Sequence, residues 1–329
     1  MAEMWHYSPM SGDLPPARVQ QRLLRRLAEL IRRRGHQRFL HSPLLEPSRE
    51  HFPDPWSPDV HGVRAMLQRL MSYAGLGTFP IQLGMTGTMN PVRLVQESGA
   101  GAIHEAAWFS GIDDEAARFG YDLAHVHDPD KMAGLLAHEV SHAYRCRHGL
   151  EVGSESVEEG LTDLTTVFLG FGILTTGNTG IAPVTLSSRR TARIEDEGYL
   201  GSLEMAYLLA AQVVARGVDH RPVAEKLGYS PRRYFLAACQ AQRQRRAATL
   251  EQLGIPLAVA GSARLFNEGK TVSMVRVRSW WPFPRYRCSD SDCGAPLRPI
   301  DLVCGNCGGK VAGALGRLMG TGTGSPPPP

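Results

Sequence analysis

The chain contains no apolar stretch of the roughly 18–20 residues that a membrane-spanning helix needs. Its best candidate, residues 164–174, is short and reads as a buried helix. It also lacks a basic start followed by an apolar run, so residues 1–16 show no secretory signal, and a cytoplasmic protein without a membrane partner is expected. Charge of one sign is scarce: 36 Lys and Arg against 32 Asp and Glu leave a net +4, too little by itself to imply a nucleic-acid partner. Cysteine is sparse and uneven. Of six, Cys146 and Cys239 stand alone, while Cys288, Cys293, Cys304 and Cys307 crowd together. In a chain without export signals this argues against disulfides and for metal binding. No long internal repeat is present.

What is present supports a folded core: 43% of the 329 residues are apolar, enough for one large or two modest domains. Helical spacing predicts a basic amphipathic helix over 17–34, with Leu23, Leu24, Leu27, Leu30 and Ile31 on one face. A proline-rich connection spans 41–60, and a second helix is expected near 63–73. Alternation of Ile81, Leu83 and Met85 predicts a strand, as do residues 106–109 and 119–123, where Phe119, Tyr121 and Leu123 share a face. Helices follow over 130–147, with Asp130 as N-cap and Gly149 as stop, and over 154–174, broken near Gly170 and Gly172. Two more are expected over 203–216 and 231–250, then short β segments such as 271–277 around the cysteines. The closing GTGTGSPPPP reads as a disordered tail. Arg18, Arg22, Arg25, Arg26, Arg32, Arg33 and Arg34, and again Arg232, Arg233, Arg243, Arg245 and Arg246, read as solvated helix faces.

The chemistry centres on His138-Glu139-Val140-Ser141-His142. Inside the 130–147 helix, positions i and i+4 share a face, so both imidazoles can reach one ion. Glu139, beside the first ligand, can approach a zinc-bound water and take its proton. On the next helix, Glu159 and Asp163 lie one turn apart among Leu161, Leu164, Val167 and Phe168. Two carboxylates on an apolar face need compensation. Zinc bound by Glu159, and a hydrogen bond from the non-ligating nitrogen of His138 to Asp163, would supply it.

Here the chain resembles the gluzincins, the thermolysin-like zinc metallopeptidases, whose HExxH is followed by an N-E-G-x-[ST]-D-like sequence on a second helix. Glu159-Gly160-Leu161-Thr162-Asp163 matches that pattern, and Glu158 replaces its Asn. The resemblance covers roughly residues 60–175. It implies His138, His142 and Glu159 as ligands of a catalytic zinc, Glu139 as general base and Asp163 as the partner of His138. It also implies a substrate-binding edge strand, taken as residues 119–123 or a neighbour. The chain is similar as well to uncharacterised bacterial proteins in which a stretch like residues 161–172 follows HExxH. That likeness supplies no activity. His148 is an alternative third ligand, by analogy with SprT-like proteases. Cys146 reads as a core thiol, and His104, His125 and His127 as ordinary histidines. Tyr199, Tyr207 and His220 remain open as groups to stabilise an oxyanion.

Cys288, Cys293, Cys304 and Cys307 form two close pairs separated by ten residues, with Gly305, Gly308 and Gly309 able to make tight turns. This looks like a zinc ribbon holding a structural zinc ion. Basic and aromatic residues interleave just before it, from Arg276 to Arg287, a composition suited to nucleic acid.

The expectation is therefore an α+β protein. A zincin-like metallopeptidase domain with mainly helical surroundings occupies residues 61–255. Residues 1–60 form an N-terminal helical and extended segment, 256–315 the zinc ribbon and 316–329 the tail. The function expected is zinc-dependent hydrolysis of a peptide or protein substrate. The alternatives are a nucleic-acid- or protein-binding ribbon module with a vestigial zincin site, or a hydrolase of non-peptide amides.

Overall fold

The structure, a computed structural model, describes residues 12–86, 106–122, 126–177, 199–260, 271–277, 285–289, 296–297 and 310–312. Val19, Leu23, Leu24, Leu27, Leu30 and Ile31 recur at helical spacing and form the buried side of α1 (Ala17–Arg34). Arg32, Arg33 and Arg34 close it, favourable charges at a helix C-terminus. After α2 (His36–His41) and the proline-rich connection comes α3 (Val60–Tyr73), capped by the Asp59 carboxylate, which accepts from the amides of His61 and Gly62.

β1 (Ile81–Thr86), β2 (Ala107–Ile112) and β3 (Ala117–Asp122) make a sheet of order β1-β3-β2, with β3 parallel to β1 and antiparallel to β2. Of the strands expected at the edge, residues 119–123 or a neighbour, the first is the centre of the described sheet, as far as it is described, to Asp122, and its neighbour β2 is at the edge. Burial agrees with this. Ala117, Phe119, Gly120 and Tyr121 are all buried, whereas β2 buries only Ala107 and so suits an edge.

Two helices carry the site. α4 (Pro129–Arg147) begins with Asp128 as its N-cap, accepting from the amides of Asp130 and Lys131. The cap lies two residues earlier than expected because Pro129 fits the first helical turn, where no amide donor is needed. Gly149, at φ +58°, follows its end. α5 (Glu155–Leu169) stops at Gly170, whose φ of +90° reverses the chain into α6 (Gly172–Thr176), as the glycines predicted. α4 packs against β2, α3, α5 and α6.

α7 (Ser202–Arg216) is buried along almost its whole length and packs on α9 (Tyr229–Gln244), with α8 (Arg221–Glu225) between them in sequence. The helix expected over 231–250 is interrupted at Arg245, and α10 (Arg246–Gln252) follows. The interruption lets the Arg246 guanidinium reach the carbonyls of Val214 and Ala215 at the end of α7. One apolar core runs from Val19 to Ala260, so α1 and α2 share it with α5 and α7.

Arginines expected on solvated faces also reach toward helix ends, Arg33 and Arg243 while remaining exposed. Arg243 donates to the Val218 carbonyl, Arg33 to Gly149, and Arg34 to the Tyr144 hydroxyl. Arg38 donates to Tyr73 at the end of α3. Arg216, fully buried, donates to the Phe39 and Ser42 carbonyls near the end of α2. Carbonyls left over at helix C-termini attract cations, and these helices use arginines distant in sequence to satisfy them.

In the C-terminal part, β4 (Thr271–Val272) pairs with the final strand, residues 310–311, while β5 (Met274–Val277), β6 (Arg285–Cys288) and β7 (Pro296–Leu297) form an antiparallel sheet. Cys288 is buried at the end of β6. Cys293, Cys304 and Cys307 and the expected tail lie outside the described residues. Mixed helix and strand make this an α+β protein. Among the described residues, no helix is long and apolar enough to cross a membrane.

Candidate metal centre

α4 buries Met132, Ala133, Leu136, Ala137, Val140 and Ala143, which fixes its rotation and turns His138 and His142 toward α5. α5 answers with Glu159. The Nε2 atoms of the two histidines lie 3.1 Å apart, and Glu159 Oε2 lies 3.0 Å from the first and 3.3 Å from the second. These three side chains are 12%, 17% and 18% exposed. Among the described residues they are the one group of His, Cys, Asp and Glu that could hold a metal ion. A tetrahedral zinc ion, with bonds of about 2.0–2.1 Å, separates its ligand atoms by about 3.3 Å. The near-equilateral triangle fits that spacing, and two imidazoles plus one carboxylate leave a fourth position for water or substrate.

The far nitrogens are held as well. His138 Nδ1 lies 2.9 Å from Asp163 Oδ1, as expected from the sequence. His142 Nδ1 lies 3.2 Å from the hydroxyl of Thr162. Each Nδ1 thus has an acceptor for its proton, which leaves Nε2 free to face the shared point. The other Asp163 oxygen accepts the Leu200 amide at 2.7 Å, and the Tyr199 ring lies 5.5 Å from the His138 ring, tilted by 34°. Sequence reasoning missed Thr162 and Leu200. The hydroxyl stood inside the quoted Glu-Gly-Leu-Thr-Asp stretch, but a backbone amide leaves no sequence signal.

The charges of these side chains compensate one another. Burial acts to depress the His138 pKa, but hydrogen bonds to Asp163 and Glu159 outweigh it and hold the pKa well above the usual imidazole value. Burial likewise acts to raise the Glu159 pKa, and the two histidines hold it well below the usual carboxylate range. Glu139, between the ligand histidines in sequence, is 9% exposed, and its charge acts on His138.

Glu158, the departure from the gluzincin pattern, points away from the triangle. It takes two hydrogen bonds from Arg145 on α4, at 2.5 and 2.9 Å, and one from the Val152 amide.

The other candidates fall elsewhere. His148 Nε2 meets Arg34 at 3.2 Å, and its ring packs edge-on against Tyr144, so it serves the α1–α4 contact. Burial, with Arg34, Arg38 and Arg147 nearby, pushes its pKa down to about 4. Cys146 is partly buried, its thiol pushed up to about 11 by burial and by Glu151. Tyr207 is buried in α7, and burial pushes its pKa up to about 12. His220 precedes α8 beside Asp219. Of the three residues left open for an oxyanion, Tyr199 alone has a ring contact with a metal-ligand candidate. His127 is exposed just before α4, and His104 and His125 lie outside the described residues.

Comparison of the chain with known protein families, with functionally curated proteins and with solved structures finds no match in any of the three.

Proposed function

We propose that this chain is a zinc-dependent metallopeptidase of gluzincin type, with His138, His142 and Glu159 holding the catalytic ion. The observation that carries the reading is the triangle of three ligand atoms at 3.0–3.3 Å, each imidazole locked by a separate partner, with Glu139 on the same helix. A structural zinc site is usually closed by four protein ligands, whereas this set supplies three.

A bound zinc ion supplies Lewis-acid polarisation of a carbonyl and lowers the pKa of water. The protein's own share is proton transfer and orientation. The Glu139 carboxylate accepts a proton from the attacking water and returns it to the leaving amine nitrogen. Asp163 and Thr162 keep the imidazoles fixed while charge develops. β2 supports a peptide over a small amide as substrate. Among the described residues it lies at the sheet edge, directly against α4, so an extended chain could add to the sheet beside that helix. The C-terminal cysteines are read as a second, structural zinc site, and the enzyme as cytoplasmic.

Zinc content per purified chain, measured for the wild type and for His138→Ala, tests this reading. Two ions falling to one support it. One ion in both proteins leaves only the cysteine cluster and overturns the peptidase.

A further inference from the structure

We propose that Tyr199 and Leu200 clamp the metal ligand His138, with the Tyr199 ring as a positioning residue. The inference rests on the metal-centre reading above and adds a third wall to a site otherwise built from α4 and α5.

Asp163 is held in two directions. One oxygen faces His138 Nδ1 at 2.9 Å, and the other accepts the Leu200 amide at 2.7 Å. A carboxylate anchored at both oxygens cannot swing, so the imidazole it orients cannot either. Tyr199, the preceding residue, places its ring over that same imidazole, 5.5 Å between centroids. Tyr199 is 44% exposed while the His138 side chain is 12% exposed, so the tyrosine stands on the solvent side of the ligand. Its ring, packed beside the imidazole, restricts rotation of His138. Sequence separation makes the clamp conditional. Leu200 lies 37 residues beyond Asp163 and joins the site only when the start of α7 is docked. Ordering of this segment and ordering of His138 are therefore linked, and linkage is reciprocal: metal held by His138 stabilises the Asp163–Leu200 bond.

Metal affinity and amide exchange test the proposal without an activity assay. Zinc is titrated against a chromophoric chelator for the wild type, Tyr199→Phe, Tyr199→Ala and His138→Ala, the last defining which binding belongs to this site. Exchange of the Leu200 amide is followed with and without zinc. Tyr199→Phe should bind as the wild type does. Tyr199→Ala should bind about tenfold or more weakly, with an unchanged melting temperature when metal-free. Zinc should slow exchange at Leu200. Equal affinity in Tyr199→Ala and wild type overturns the positioning role. So does Tyr199→Phe as weak as Tyr199→Ala, and Leu200 exchange unaffected by zinc removes the linkage. If His138→Ala costs no metal, the metal centre itself fails, a result distinct from all of these.

Discussion

Arg145 and Glu158 are joined by two hydrogen bonds across the α4–α5 contact, with side chains 4% and 13% exposed. The guanidinium also donates to the Leu150 carbonyl. Glu158 adjoins Glu159, so the pair sets where the candidate ligand begins its reach. Arg145→Met leaves the Glu158 carboxylate without its main partner. Loss of one member of a buried pair costs about 3–5 kcal/mol. Urea unfolding should show a drop of that order, and zinc affinity should fall with it.

Glu139→Gln keeps the size and removes the base. The variant should retain its zinc and lose turnover on a peptide substrate by about 10²–10⁴-fold. Metal analysis beside a peptidase assay separates the two effects, and full residual activity would remove the general-base role.

The partners of the two imidazoles differ in charge: Asp163 is a carboxylate and Thr162 a neutral hydroxyl. Asp163→Ala should weaken zinc binding by about 10–100-fold, and Thr162→Val should fall at or below the low end of that range. Competition titrations read the difference directly. Equal losses would mean that charge is not what Asp163 contributes.

His148 gives a pH signature separate from the candidate metal centre. Its pKa is about 4 in the folded chain against 6.5 for a free imidazole, because it is buried among Arg34, Arg38 and Arg147. Between those values the unfolded chain binds a proton that the folded chain refuses, so stability falls as pH drops from about 6.5 toward 4. Part of that loss, on the order of 1 kcal/mol after solvent screening, belongs to His148. His148→Gln should show a shallower decline when urea unfolding at pH 7 and pH 4.5 is compared with the wild type.

Gly170 holds the turn between α5 and α6. Its φ is +90°, and an added Cβ would stand 2.0 Å from the Pro43 carbonyl oxygen. Gly170→Ala should cost more than the roughly 1 kcal/mol of an unfavourable φ alone, because the obstacle is backbone and cannot rotate away. A thermal melt of the variant measures it.

The helices and the triad were legible because their information is local. HExxH needs only the helical repeat to bring its ends together. Glu159 and Asp163 repeat that logic one helix later, and Gly170 announces a stop by its conformational freedom. What escaped was set by tertiary contact. β3 takes the centre of its sheet because its surroundings bury it on more positions than β2, a comparison that alternation within one strand cannot make. Asp128 rather than Asp130 caps α4 because Pro129 occupies the first turn. The arginines of α1, α9 and α10 look alike in sequence. Which ones meet helix-end carbonyls depends on where α4 and α7 end in space.

The ligand atoms and their two side-chain partners all fall between His138 and Asp163, with at most 25 residues between any bonded pair. Closing so short a loop costs little chain entropy. A metal ion can thus staple α4 to α5 while the residues of α7 to α10 are still being synthesised. Under the zinc reading proposed above, the centre is a seed onto which the rest of the molecule condenses, and zinc supply during translation would bear on the yield of folded protein.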